Sequence, residues 1–289
     1  MKHPLPVKTA FVSISYAHKD EFTAELDAIR AALESMGWRA HVFVNAYTFT
    51  PDQQRAMMAA TVADLRAADL LIAEVTYKAI GVGIEVGYAA ALGKPIFYLR
   101  RADAEPSTTV GGLATHSIVY HSPDDLYGQL VDGAKIVAAG VRISNPGKPL
   151  SERDIEAFER ELGATLPGSY RAFLLMYNGG VPQPNLITYC PSFHPIPKRD
   201  VVERFLSLGD DPTIGIAPAR RNLNNSLPPN LLPIADTLGQ SLVVLSISGY
   251  DAGRVYYWDY ESLVDAVSYD NVYEVANSFD ELLAGLKDG

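Results

Sequence analysis

Between positions 69 and 99 the chain runs DLLIAEV, then a glycine-punctuated GVGIEVGYAAALG, then PIFYL. Few folds accommodate that order. The flanking runs Asp69–Val75 and Pro95–Leu99 are apolar at consecutive residues without helical spacing, so each is expected as a strand buried on both faces, as in a parallel sheet. The segment between them must then cross over as a helix. Gly93 supplies the left-handed residue that ends it. Gly81 and Gly83 bracket the approach to Glu85 at the mouth after a strand, where open α/β sheets bind ligands and where bare backbone lets one come close. Glu85 is expected in the first helical turn, where the helix dipole stabilises an ionised carboxylate by roughly 0.3–1 kcal/mol. That suits a nucleophile or charge stabiliser better than a general acid. It equally suits an ordinary surface glutamate, and the pattern alone leaves both readings open.

The N-terminal stretch supports the same architecture. Thr9–Ser15 reads as a first strand, and Phe22, Leu26, Ile29, Leu33 and Met36 recur at helical spacing until Gly37. His41–Val44 reads as a second strand, which makes a βαβ unit with a right-handed crossover. Ser15 and Tyr16, just past the first strand, fall on the rim that Glu85 faces and are candidate ligand contacts; ordinary turn chemistry is the competing reading. Asn45–Thr50 is expected as a polar and aromatic surface loop with Tyr47 and Phe49 packed down; closing over a ligand is the alternative reading. Pro51–Ala68 is expected as a helix that delivers Thr61 and Asp64 toward the Asp69 strand. His116–His121 and Pro123–Ala139 complete a flavodoxin-like α/β pattern, and Arg100 and Arg101 end a strand where a phosphate could meet them.

Composition narrows the function. The formal net charge is −10, with 13 basic against 15 acidic residues over positions 1–145 and 11 against 19 over 146–289. Such a balance argues against a general nucleic-acid binder and leaves room for a small anionic ligand held by backbone amides. Cys190 is the only cysteine, so no intrachain disulfide and no cysteine-rich metal site is expected. The six histidines lack ligand spacing, so neither metal nor other cofactor is expected. No signal-like start and no membrane-length apolar run is present, so the expected setting is cytoplasmic.

Ala68-Asp69, Glu74-Val75-Thr76, Gly81-Val82-Gly83-Ile84-Glu85-Val86-Gly87 and Lys94 together resemble the nucleoside 2-deoxyribosyltransferase superfamily, and most of all its branch that hydrolyses deoxynucleoside 5′-monophosphates. The resemblance implies that Glu85 attacks or stabilises the anomeric carbon as the bond to the base breaks, while amides near Gly81 and Gly83 hold sugar or phosphate. It also implies a possible homo-oligomer through this domain. Two positions depart from the family pattern: Thr61 stands where an aspartate is usual, and Ala79 where the transferases hold the sugar with another. Base exchange is therefore not expected, and Asp64, one turn after Thr61, is the candidate replacement carboxylate. FVSISYAHKDEF also resembles the opening of TIR domains, whose enzymatic members split NAD with a glutamate on a comparable helix.

Asn145-Pro146-Gly147-Lys148-Pro149 marks a linker over 144–150, which separates domains expected at 1–143 and 151–289. Ser151 with Asp154 reads as a capping box, Leu166-Pro167 leads a second helix that Asn178-Gly179-Gly180 stops, and Ser241–Ile247 and Arg254–Trp258 read as strands before a helix over Ser278–Leu286. Helices first and an antiparallel sheet after is an α+β pattern. Glu159, Leu166-Pro167, Asn178-Gly179-Gly180, Leu232-Pro233-Ile234-Ala235, Gly253–Asp259 and Val275–Phe279 resemble a SUKH domain. That resemblance implies a protein-binding module, with a toxin or effector as partner. Asp236, Asp259 and Glu261 are expected on a solvated acidic face, and Tyr256, Tyr257, Trp258 and Tyr260 divide between core and interface. The expected function is hydrolysis of an N-glycosidic bond in a nucleotide-type substrate (a deoxynucleoside monophosphate, a nucleoside or NAD). The alternative is a non-catalytic immunity or interaction protein whose first domain only binds a nucleotide.

Overall fold

A computed structural model describes residues 7–191, 196–209, 211, 213–223, 226–260 and 267–289. The chain divides into two compact units between Ala134 and Lys135.

In the first unit the elements follow as β1 (Thr9–Ser13), a 3-10 helix (Tyr16–Phe22), α1 (Thr23–Ser35), β2 (Arg39–Val42), α2 (Phe43–Ala46), α3 (Gln54–Ala67), β3 (Leu70–Glu74), α4 (Ile80–Ala91), β4 (Ile96–Arg101), α5 (Thr108–Gly111), β5 (His116–Tyr120) and most of α6 (Pro123–Ala138), whose last turn belongs to the second. All five strands pair in parallel in the order β2-β1-β3-β4-β5. Every residue of β3 is buried, as a strand covered on both faces requires. This is the expected flavodoxin-like sheet. Its strand order reverses at β1, and the crevice beyond the C-terminal ends of β1 and β3 is where such folds take ligands.

Three boundaries differ from expectation. The first strand ends at Ser13, because Ser15 opens a 3-10 turn in which the His18 amide donates to its carbonyl at 3.2 Å. The second strand lies at Arg39–Val42, two residues early. Its last pair with β1 is Val42 opposite Val12, and Phe43 turns inward to stack on Phe11 with ring centroids 5.5 Å apart. Third, α4 begins at Ile80, so Gly81 and Gly83 lie inside the helix and Glu85 stands in its second turn. A Cβ on Gly81 or Gly83 would meet nothing within 4 Å, so neither glycine serves a tight turn. Val82 and Val86 are buried one turn apart, and their packing sets where the helix runs.

The second unit contains β6 (Arg142–Ser144), α7 (Glu152–Leu162), α8 (Gly168–Tyr177), β7 (Val181–Gln183), β8 (Leu186–Tyr189), β9 (Lys198–Phe205), α9 (Ile216–Asn222), β10 (Leu231–Thr237), β11 (Leu242–Ser246), β12 (Val255–Trp258), β13 (Val272–Ala276) and α10 (Phe279–Gly285). Strands β8 to β13 form an antiparallel sheet in the order β13-β12-β11-β10-β9-β8, the expected α+β architecture. The capping box forms: the Ser151 amide donates to the Asp154 carboxylate at 2.7 Å. Asn178 ends α8 at φ 48°, and Gly180 follows at φ 115°, where a Cβ would lie 2.7 Å from Ile143.

The stretch 144–150, expected as a linker, is tied into this unit. β6 pairs with β7, the Asn178 amide donates to the Lys148 carbonyl at 2.8 Å, and the Gly147 amide donates to the Tyr177 carbonyl at 3.0 Å. The prolines and glycine that break a helix here shape a bound loop. The acidic face is also revised: Asp236 is half-buried and burial raises its pKa, while Glu261 lies outside the described residues. Tyr256, Tyr257 and Trp258 are all buried, because both faces of β12 are covered; Tyr260 alone of the four is exposed. Among the described residues no helix is long and apolar enough to cross a membrane.

Candidate active site

A cavity of about 860 Å³ opens at the crevice beyond β1 and β3. That size suits a nucleotide-scale ligand. Its chemistry starts from the end of β1, where Ser13 closes the strand and Ser15 opens the 3-10 turn that follows. Ser13 is buried and donates its hydroxyl to the Glu85 carboxylate. Ser15, also buried, lines the cavity and makes no side-chain hydrogen bond with the backbone it caps. Glu85 is the only carboxylate among the described residues of the lining. Burial raises its pKa, and the Ser13 hydrogen bond pulls the other way. The dipole effect expected for a first-turn position fades within that turn, so desolvation dominates here.

One wall is aromatic and apolar. Phe43, Tyr47 and Phe49 come from the segment after β2, with Tyr47 5.1 Å from Phe43 and 5.6 Å from Phe49 between ring centroids. Met57 and Thr61 of α3 continue it, and the Thr61 hydroxyl donates to the Met57 carbonyl at 3.0 Å. Lys78, Ala79 and Gly81 line the side next to β3, with His18 stacked on Tyr77 at 3.9 Å between centroids. Tyr16 stands exposed at the rim.

The sequence-expected residues therefore separate. Glu85, Ser15, Tyr16, Thr61 and Gly81 meet at one cavity; Gly83 faces outward and does not line it. Asp64 does not line it either. Its carboxylate lies 2.8 Å from His41 Nε2, and its negative charge beside Tyr47 raises the pKa of that phenol. α3 runs from the rim toward the start of β3, so a residue one turn after Thr61 lies roughly 4.5 Å deeper along the sheet. Asp64 consequently braces the aromatic wall instead of replacing the missing aspartate. Arg100 is held by the carbonyls of Arg101, Ala102 and Ala104, and Arg101 by Glu25 at 2.6 Å, so neither arginine reaches the cavity. Sequence reading missed Ser13, which seemed to be one more strand residue, and it missed the joint use of Phe43, Tyr47 and Phe49.

Glu74, at the end of β3, lies behind the site. It accepts hydrogen bonds from the Thr76 hydroxyl and amide and from Tyr120 at 3.1 Å. Burial pushes its carboxyl up to about 7, with those hydrogen bonds acting against the shift. The folded state then binds a proton that the unfolded chain releases near 4.5, so stability is fully present below that pH and is lost as pH rises through about 7. Over 2.5 units this amounts to roughly 3 kcal/mol. Urea midpoints at pH 5 and pH 8 are expected to differ accordingly in the native protein, and Glu74→Gln is expected to flatten that part of the difference.

A parallel sheet with a carboxylate at its switch point defines a class of small-ligand α/β domains, and comparison with known proteins makes it specific. Residues 14–151 match the nucleoside 2-deoxyribosyltransferase family, and residues 149–285 match the SMI1 / KNR4 family (SUKH-1). The chain thus carries an N-terminal nucleoside 2-deoxyribosyltransferase domain and a C-terminal SUKH domain. The two matches meet inside the stretch expected as a linker. The SPbeta prophage-derived uncharacterized protein YokK of Bacillus subtilis (strain 168) is 26% identical over 155 residues, 48% of this chain and 75% of that protein. The 5-hydroxymethyl-dUMP N-hydrolase of Mus musculus is 60% identical over 37 residues, which is 13% of this chain and 21% of that protein. A solved structure of the Clostridium botulinum CMP N-glycosidase BcmB is 26% identical, covering 43% of this chain and 97% of that chain with a TM-score of 0.35.

Proposed function

We propose that the N-terminal domain hydrolyses the N-glycosidic bond of a nucleotide-type substrate through Glu85, and that the SUKH domain binds a protein partner such as a toxin or effector. The observation that carries this reading is Glu85 itself, half-buried, oriented by Ser13 and the sole carboxylate among the described residues on a nucleotide-sized cavity with one aromatic wall. A carboxylate so placed stabilises the positive charge that develops at an anomeric carbon, or bonds to that carbon, while the wall stacks the planar base. The match to the deoxyribosyltransferase family and the short, close match to an N-hydrolase support the bond class.

A second reading, a domain that binds a nucleotide without cleaving it, is favoured by one observation. Thr61 occupies the position of the family aspartate and Asp64 is turned to His41, so no second carboxylate lines the cavity among the described residues. Chromatography for free base released from deoxynucleoside monophosphates, ribonucleotides and NAD separates the two. Release by the native protein that disappears in Glu85→Gln supports the hydrolase. Nucleotide binding without release supports the second reading.

A further inference from the structure

Hydrolysis at an anomeric carbon is helped by a group besides Glu85 that takes the proton of the attacking water. The described lining of the cavity narrows the choice. The hydroxyls of Ser15, Thr50 and Thr61, the phenols of Tyr16 and Tyr47 and the ammonium of Lys78 belong to side-chain types that hold their protons near neutral pH. Imidazole is the type that serves as a neutral base there, and His18 supplies it.

His18 is also held as a proton-exchanging group has to be held. Its Nδ1 lies 2.7 Å from Glu21 Oε1, and the Tyr77 hydroxyl donates to Glu21 Oε2 at 2.6 Å. The His18 ring stacks on Tyr77 with centroids 3.9 Å apart and planes 12° from parallel, so each of the three groups touches the other two. The hydrogen bonds from Tyr77 and then His18 keep the Glu21 carboxyl below its ordinary value. Glu21 therefore stays an acceptor, and Nδ1 is the nitrogen that carries the proton. Arg101 fixes the backbone beneath, donating to the Glu21 carbonyl at 3.1 Å. Nε2 makes no hydrogen bond among the described residues and is left free to exchange a proton.

An ion pair three residues apart on an exposed helix accounts for His18 and Glu21 alone. It does not account for Tyr77, which reaches Glu21 from 56 residues away and stands two residues before Ala79, the N-cap of α4. The triangle ties the turn after β1 to the start of the helix that carries Glu85, and the imidazole and that carboxylate line one cavity.

We propose that His18 is the general base of this cavity, with Glu21 and Tyr77 as its positioning residues. The inference rests on the hydrolase reading. In the step, the bond between C1′ and the ring nitrogen of the base breaks with its electron pair going to nitrogen, and Glu85 offsets the positive charge left at C1′. A water then bonds to C1′ through its oxygen while its proton passes to His18 Nε2. Glu21 stabilises the imidazolium until that proton returns to solvent. A base that leaves as an anion takes one proton from solvent, and the sum is one water consumed.

The test uses whichever deoxynucleoside monophosphate, ribonucleotide or NAD the native protein cleaves fastest, with the variants His18→Gln and Glu21→Gln and a melting temperature for each. His18→Gln is expected to lower kcat by about a hundredfold or more, the size of a general-base contribution, with little change in KM. Glu21→Gln is expected to give a smaller loss in the same parameter. Azide separates chemistry from structure, because it attacks C1′ with no proton to lose. Added azide is expected to restore base release by His18→Gln to within about tenfold of the native rate and to leave a glycosyl azide as product. A loss that azide does not reverse, or one that shows as a rise in KM, makes His18 a structural or binding residue and overturns the proposal. Unchanged kcat overturns it while the hydrolase reading stands. Release of base from none of these nucleotides by the native protein removes the hydrolase reading and the proposal with it.

Discussion

Glu85→Gln is expected to lower base release by at least about a thousandfold, equivalent to about 4 kcal/mol of transition-state stabilisation. The substitution keeps the shape of the side chain and an oxygen to accept the Ser13 hydroxyl, and it removes a half-buried charge. Thermal stability is therefore expected to hold or rise slightly, since Glu85 is desolvated where it stands. Loss of release with an unchanged melting temperature places the chemistry on Glu85. Unchanged release would remove Glu85 from it. The pH profile supplies a second check. The ionised carboxylate is the active form, and burial raises its pKa, so release is expected to climb with pH through a midpoint above the usual carboxylate value near 4.5. The limb should be absent from any residual activity of the variant.

Phe173→Ala is expected to destabilise the second unit by about 3–5 kcal/mol, the range for truncating a fully buried aromatic ring. Phe173 is completely buried, and its ring centroid lies 5.6 Å from Tyr177 on its own helix, 5.0 Å from Phe205 of β9 and 4.9 Å from Phe279 of α10, so two elements besides its own lose contact at once. The spread of interplanar angles, 49° to 64°, shows tilted and edge-on packing that leaves little freedom to collapse into the vacated space. Trp258 lies buried in the same unit and Trp38 in the first. Denaturation followed by Trp258 emission in a Trp38→Phe background reads the intended unit. Phe173→Leu is expected to cost less than half as much, because most of the volume is kept. Equal effects from the two variants would show that the ring geometry, not its volume, is what the core requires.

Much of the fold was legible because the patterns that specify it are local. A continuous apolar run at Leu70–Glu74 and helical spacing at Leu26, Ile29 and Leu33 each report on a few neighbouring residues, and β3 and α1 stand where those patterns placed them. The capping box at Ser151 and the left-handed stop at Asn178 were legible for the same reason: the residues that form them are adjacent. Boundaries fared worse at Phe43 and Ile80. Apolar content at those points is compatible with either strand or helix, and packing against Phe11 or through Val82 and Val86 decides between them.

By itself the sequence determined the parallel sheet, since short apolar runs separated by a helical crossover admit little else, and the resemblance of its motifs to known families pointed to the two domain types and to Glu85 as the residue to test. Only the tertiary structure decided what Glu85 can do. Its partner Ser13 is 72 residues away, and the two meet because the order β2-β1-β3 brings the end of β1 against α4. Asp64 and Thr61 differ by one turn on the same helix, yet the direction of α3 along the sheet puts Thr61 at the cavity and Asp64 against His41. Spacing along a chain fixes which residues share a face. Which face meets a cavity depends on where distant elements come to rest, and that is a property of packing that no local pattern encodes.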